Sequence, residues 1–285
     1  MLVRTFFFLV TLTCLAGASV IVTPTTDTAA LASGLGGGGG LTINSVFIVQ
    51  GNEVQFGTYT NFITGPVRIG NGIVLSTGLV SEVVPGSLAD TDLLGEGSAE
   101  FDAYGPGRIE NFEESYDVAS LLVNFSLVSP SQVGFDFVFG SIEYPDFTSL
   151  YTDAFLAFLN GTTPANQIVF DSLGNPVQVG ISFANLLTTA DTNTVFADPY
   201  GLVRLQTFTT GQLPAGEHSL LFTVGDVNDG ILDSAVFISN LRAGVGQSGG
   251  TTSPVPEPGT LALMGGAAGA LLLRRWLRRD SRRSL

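Results

Sequence analysis

The sequence predicts an all-β protein, an antiparallel β-sandwich or jelly roll with a short N-terminal helix and a C-terminal hydrophobic, transmembrane helix. Three observations carry that expectation. From Leu41 to Arg242, short runs rich in Val, Ile, Phe, Tyr and Thr recur, divided by Gly, Pro, Asn and Asp, as in many short strands joined by turns. In "QVGFDFVFG" Val133, Phe135, Phe137 and Phe139 fall on alternate positions, and in "HSLLFTVGD" Leu220, Phe222 and Val224 do the same, the period of a strand with one face on a core. Neither a βαβ rhythm nor an internal repeat interrupts the pattern.

The elements follow in order. Asp27 or Thr28 offers an N-cap for one or two helical turns in "TTDTAALASGL", and the run Gly36 to Gly40 stops them. Strands are expected in "LTINSVFIV", "EVQFGTYTNF", "GIVLSTG", "ASLLVNFSLV", "QVGFDFVFG", "DAFLAFLN", "QIVF", "PVQVGI", "LVRLQTFTT", "HSLLFTVGD" and "SAVFISNLR". The 21 phenylalanines supply enough apolar bulk for a core.

Both ends have their own character. Arg4, the apolar stretch Phe6 to Leu15 and the small residues Ala16-Gly17-Ala18 have the form of a secretory signal peptide over residues 1–18. Cys14 lies inside it, so the exported chain holds no cysteine and needs neither disulfide nor thiolate metal site. Residues 246–254 lie within a Gly/Ser/Thr-rich stretch that reads as a flexible linker. After it, residues 259–273 carry no charge. As a helix they reach roughly 22 Å, short of a hydrocarbon core of about 30 Å. Trp276 at the interface and the snorkelling stems of Arg274, Arg275, Arg278 and Arg279 extend that reach. Positive charge after the run leaves the C-terminus in the cytoplasm and the body outside.

Charge narrows the function classes. Between Ser19 and Pro254 there are 23 acids against four arginines. Such a surface repels nucleic acid and anionic lipid and favours cations, so no nucleic-acid partner is expected. Enzyme chemistry finds little support. His218 is the only histidine, which rules out a multi-histidine zinc site, and its parity with Leu220 and Phe222 fits a strand-end residue near the core. No "GxSxG" elbow is present. The acids would suffice for a two-carboxylate glycosidase, but no spacing singles out a pair. The expectation is a protein without catalytic activity.

A cation site is the one chemistry the residues favour. "DVNDGILDS" gathers Asp226, Asn228, Asp229 and Asp233 around a glycine. Oxygen ligands in an extracellular turn suit calcium, with Glu143 and Asp146 of "SIEYPDF" as possible additions. The same residues also fit an ordinary Asp/Asn/Gly hairpin, and both readings stay open. Ten acids between Glu82 and Asp117 offer further ligands or a solvated loop. Tyr104, Tyr116, Tyr144 and Tyr151 cluster near this segment and keep a tyrosine-based carbohydrate site open.

Two resemblances add to this reading. Pro256-Glu257-Pro258, a short apolar helix and an arginine cluster at the chain's end resemble the PEP-CTERM sorting signal, over residues 255–280. That resemblance implies an outer-membrane bacterium with an exopolysaccharide system and processing by the membrane-embedded exosortase near Pro-Glu-Pro. The protein would be tethered transiently to the inner membrane, then pass to the cell surface or extracellular matrix. "FDFVFGSIEYPDF" and "VGDVNDGILDSAVFISNLRAG", with the earlier "ALASGL…GLTINSV", "GIVLSTG" and "DTDLLGEG", resemble the choice-of-anchor L domain across residues 27–245. One departure is that Ile142, where the family usually has an acid, precedes Glu143. The resemblance implies an exported surface module without naming its ligand. Taken together, the expectation is a structural or adhesive surface or biofilm-matrix protein, with exopolysaccharide or surface proteins as partners. A carbohydrate-binding module is the alternative, with a carboxylate-dependent glycoside hydrolase behind it.

Overall fold

The structure, a computed structural model, describes residues 19–62, 68–148, 150–171, 173–180, 183, 193–197, 199–202 and 206–244. The expected signal peptide, the linker, the sorting motif Pro256, Glu257 and Pro258, the apolar helix and the flanking arginines lie outside the described residues. Among the described residues no helix is long and apolar enough to cross a membrane.

Two antiparallel sheets face each other. One holds β1 (Ile21–Pro24), β3 (Phe56–Phe62), β4 (Gly70–Ser76), β12 (Ser234–Ala243), β6 (Val133–Ser141) and β10 (Gln206–Thr209) in that order, with β9 (Gly201–Leu202) also paired to β6. The other runs β2 (Leu41–Gln50), β5 (Ser115–Leu127), β11 (Gly216–Val227), β7 (Ala154–Leu159) and β8 (Val177–Gln178). Helix α1 (Thr28–Leu35) forms where expected. The Asp27 carboxylate accepts from Ala29 N–H, Leu31 and Leu35 are buried, and Gly36 ends the helix at φ +93°, a left-handed conformation that a side chain disfavours. A second short helix, α2 (Ala99–Tyr104), starts at Ser98, whose hydroxyl accepts from Phe101 N–H.

The period-two rows meet between the sheets. Phe135, Phe137 and Phe139 of β6 pack with Phe155 and Ala157 of β7, Leu220, Phe222 and Val224 of β11, and Val236 and Ile238 of β12. Alternation alone would leave the opposite faces wet, and here the structure differs. Every residue of β6 is buried, because Val80, Val83, Val195 and Phe196 pack with Val138 and Phe237 on the outer side of the larger sheet. Phe101, Tyr104 and Ile109 likewise cover Leu156, Phe158 and Leu221 on the outer side of the smaller one. Burial on that scale stabilises at about 25 cal/mol per Å².

Two connections cross between the sheets at the same end. Residues 142–153 lead from β6 to β7, and 228–233 lead from β11 to β12. Since Ser234 pairs with Ser141 and Gly225 with Ala154, both crossings are brought to one corner.

Candidate metal centre

At that corner the inward-facing rows change from apolar to polar together. Beyond Phe139 the parity of β6 continues to Ser141 and Glu143, and before Phe155 that of β7 reaches Asp153. The β11 row passes from Val224 to Asp226, the β12 row begins at Ser234, and the β4 row of Ile73 and Leu75 ends at Thr77. Glu143, Asp153, Asp226 and Asp233 are each 0% exposed. Four carboxylates thus plug one end of the sandwich.

Asp153 is the hub. Its Oδ2 accepts from the Ser234 hydroxyl at 2.7 Å and its Oδ1 from Val227 N–H at 3.2 Å. Asp226 lies within side-chain hydrogen-bonding reach of it, and Glu143 and Asp233 both feel its charge. No donor of bonding geometry reaches either oxygen of Glu143, Asp226 or Asp233. The Asp153 amide faces Glu143, the Thr77 hydroxyl faces Asp226 and the Thr91 amide faces Asp233, easing their charge without completing a normal bond. Asp226 can bond Asp153 only if it carries a proton, since two carboxylates are both acceptors.

Electrostatics follow from burial. Desolvation, reinforced by Asp153, pushes the Glu143 carboxyl up to about 11. Burial raises Asp153 to about 7 although Ser234 opposes it, and raises Asp233 to about 8 with Glu82, Asp153 and Asp90 adding like charge. Asp226 is pushed well above the usual carboxylate range by burial and by Asp153. The ion pair of Arg242 with Asp136, at 3.6 Å, belongs to the far end of β12.

Of the six residues expected to bind metal, the structure unites Asp226, Asp233 and Glu143. Asp229 is half-buried at the rim, one oxygen without a donor, its carboxyl raised first by burial and then by Asp92. Asn228 is placed elsewhere. Its Oδ1 accepts from Glu113 N–H at 2.9 Å, and its amide donates to Asn111 and Leu150 carbonyls, so it pins loops together. Asp146 is exposed beyond the Tyr144-Pro145 turn and does not face the corner. Asp153, Ser234 and Thr77 were missed as members. An acid placed two residues before Phe155 on the inward parity was the signal for Asp153. Among the described residues no three acids stand close enough together to hold a metal ion as they are placed. Like charges hold them apart, and they would have to draw together around a cation.

A second acid is built into the neighbouring loop. β5 carries an extra residue opposite Val224–Asp226, where Asp117 takes φ +45°. Its carboxylate accepts from Leu93 N–H at 3.0 Å and from Gly95 N–H, closing the 92–95 loop. Among the other candidates, His218 is nearly buried and stacks on Phe125. Its Nε2 faces the Pro214 carbonyl at 2.9 Å, so that nitrogen donates. Nδ1 accepts from the Asn160 amide at 3.1 Å, and Asn160 is oriented by Ser219 N–H. Tyr104 is buried against Phe158 with Arg108 over its ring, which removes it as a platform. Tyr116, Tyr144 and Tyr151 stay partly exposed.

The family model of the choice-of-anchor L domain matches residues 22–241, taking in both sheets and all four corner acids. The chain belongs to the choice-of-anchor L family. A second model, the PEP-CTERM protein-sorting motif, matches residues 254–279. This choice-of-anchor L protein is therefore exported, with a membrane-anchored precursor that an exosortase processes. No curated protein matches the chain. Among solved structures, a beta-glucosidase from Kluyveromyces marxianus in complex with glucose is similar at 10% identity and TM-score 0.22, covering 44% of this chain and 11% of that one. A non-crystalline cellulose-specific carbohydrate-binding module, CBM28, is similar at 11% identity and TM-score 0.26, covering 59% and 94%. An isomalto-dextranase of Arthrobacter globiformis T6 complexed with panose is similar at 12% identity and TM-score 0.21, covering 69% and 23%. The chain thus matches only about a tenth of the glucosidase's length.

Proposed function

We propose that the β body is a structural or adhesive module of the cell surface or extracellular matrix, delivered there by its sorting signal. The observation that carries this reading is the placement of the clustered acids. Glu143, Asp153, Asp226 and Asp233 are fully buried at the sandwich corner, where a glycosidic bond has no access to them, so their chemistry serves the fold. His218 is equally engaged by Pro214 and Asn160. Locating the native protein in cells with and without their exopolysaccharide tests the reading. An adhesive protein stays with the matrix fraction and is shed when the polysaccharide is lost. Steady release of sugars from the polysaccharide by the purified protein would make it a hydrolase instead.

Carbohydrate binding is the second reading, favoured by the outer face of the five-stranded sheet. There Asn44, Ser45, Asn124, Asn160, Glu217 and Ser219 line a cleft of about 420 Å³, offering amides and hydroxyls that match sugar hydroxyls. Phe47, on the same face opposite Leu122, is 52% exposed and supplies a flat apolar ring. If this face binds the polysaccharide, Phe47→Ala abolishes retardation in affinity electrophoresis without changing the melting temperature.

A further inference from the structure

We propose that Asp153, Asp226, Asp233 and Glu143 hold one calcium ion that staples the two sheets together at the corner where the chain crosses between them. Three acids from the two crossing segments and Asp226 from the end of β11 lie at this corner, each 0% exposed. Six of their oxygens, two each on Glu143, Asp226 and Asp233, are buried with no hydrogen bond of normal geometry, the Asp153 amide, Thr77 hydroxyl and Thr91 amide only lying near them. Native proteins leave few such groups unpaired, and an unpaired buried charge is among the costliest. Protons would neutralise these acids one at a time and join no two of them beyond the Asp153–Asp226 pair. A divalent cation serves all four.

The groups facing the cluster from neighbouring elements are also acidic: Asp229 from the β11–β12 turn, and Glu82 and Asp90 from the segment after β4. Thr77 and Ser234 contribute hydroxyls, and Ser234 N–H donates to Thr77 Oγ1 at 3.0 Å. Gly78 makes room, since a Cβ there would overlap the Asp233 carboxylate. Oxygen-only donors from several backbone positions suit the irregular shell of six to eight ligands that calcium takes. Magnesium keeps several of its waters, for which a fully buried corner leaves little space. Asp226 enters from the five-stranded sheet and Asp233 leads into the other, so one ion ties both layers. Such a tie serves the module whichever partner its surface meets.

The test uses the exported protein itself. Calcium at millimolar concentration should raise its melting temperature by several degrees over the protein in EGTA, and elemental analysis after desalting should find calcium retained. Asp226→Asn and Asp233→Asn should lose this response. In EGTA their melting temperature should fall less steeply with rising pH than the parent's, because each removes one buried acid. Asp146→Asn, outside the corner, should keep the full response. Equal melting in calcium and EGTA with no retained metal overturns the proposal, as does an undiminished response in Asp226→Asn, Asp233→Asn and Glu143→Gln. If the aspartate variants fail to fold, Glu143→Gln locates the site and metal content of the parent establishes occupancy.

Discussion

The Ser234 hydroxyl donates to Asp153 Oδ2 at 2.7 Å, joining the first residue of β12 in one sheet to the residue before β7 in the other. It is a bond to a carboxyl oxygen in a site closed to water. Leaving such a buried acceptor without its donor costs about 1–3 kcal/mol. Ser234→Ala should therefore lower unfolding stability by about 2 kcal/mol, measured by denaturant titration in EGTA. A change within a few tenths of a kcal/mol would show that Asp153 does not depend on it.

Gln55 makes the neighbouring inter-sheet contact. Its amide nitrogen donates toward the carbonyls of Ser76, Thr77 and Asp117, and its Oε1 accepts from Asn52 N–H. The first two acceptors are the last residue of β4 and the one after it, and the third sits in the bulge of β5, so one side chain bolts the two layers. Gln55→Leu leaves these groups buried and unpaired, and should cost about 3 kcal/mol of stability. Gln55→Glu should be no better, because a carboxylate cannot donate to carbonyls. Full stability in the Glu variant would mean that water replaces the amide.

Processing at the termini is readable by mass. Protein recovered from the cell surface should lack the residues before Ser19 and those after about Glu257, consistent with the sorting motif matched at 254–279. Recovery with Trp276 and its arginines still attached would show that exosortase does not act on this chain.

Much of the corner was legible in the sequence because strand parity is local. Counting by two from Val224 gives Asp226, and counting by two from Phe139 gives Glu143. Asp27 announced helix α1 for the same reason, since an N-cap acts within one turn. Asp153 was harder, because an acid just before a strand is ordinary and its meaning depends on which crossings share an end. That is set by pairings such as Ser234 with Ser141, far apart in sequence. The covered outer faces were hidden for a related reason. Val138 and Phe237 are buried by Val195 and Phe196, and nothing in the β6 sequence itself says what lies over it.

The pH dependence of the chelated protein follows from the same burial. In the folded state Asp153 keeps its proton up to about pH 7, Asp233 to about 8 and Glu143 to about 11. In the unfolded chain such carboxyls ionise near pH 4, roughly their ordinary value. A folded-state pKa raised above the unfolded one gives stability that is fully present below the unfolded value and lost as pH rises through the folded value. Asp229 adds like charge beside Glu143 and Asp153, which acts in the same direction. In EGTA at constant ionic strength, the melting temperature should be highest near pH 4–5 and fall steadily to pH 8, roughly the span between these values. Calcium competes with those protons for the same oxygens, so at millimolar calcium the decline should flatten and the gap between the two curves should widen with pH. A calcium-free protein that melts higher at pH 8 than at pH 5 would mean that these acids are already paired, and the corner would need another account.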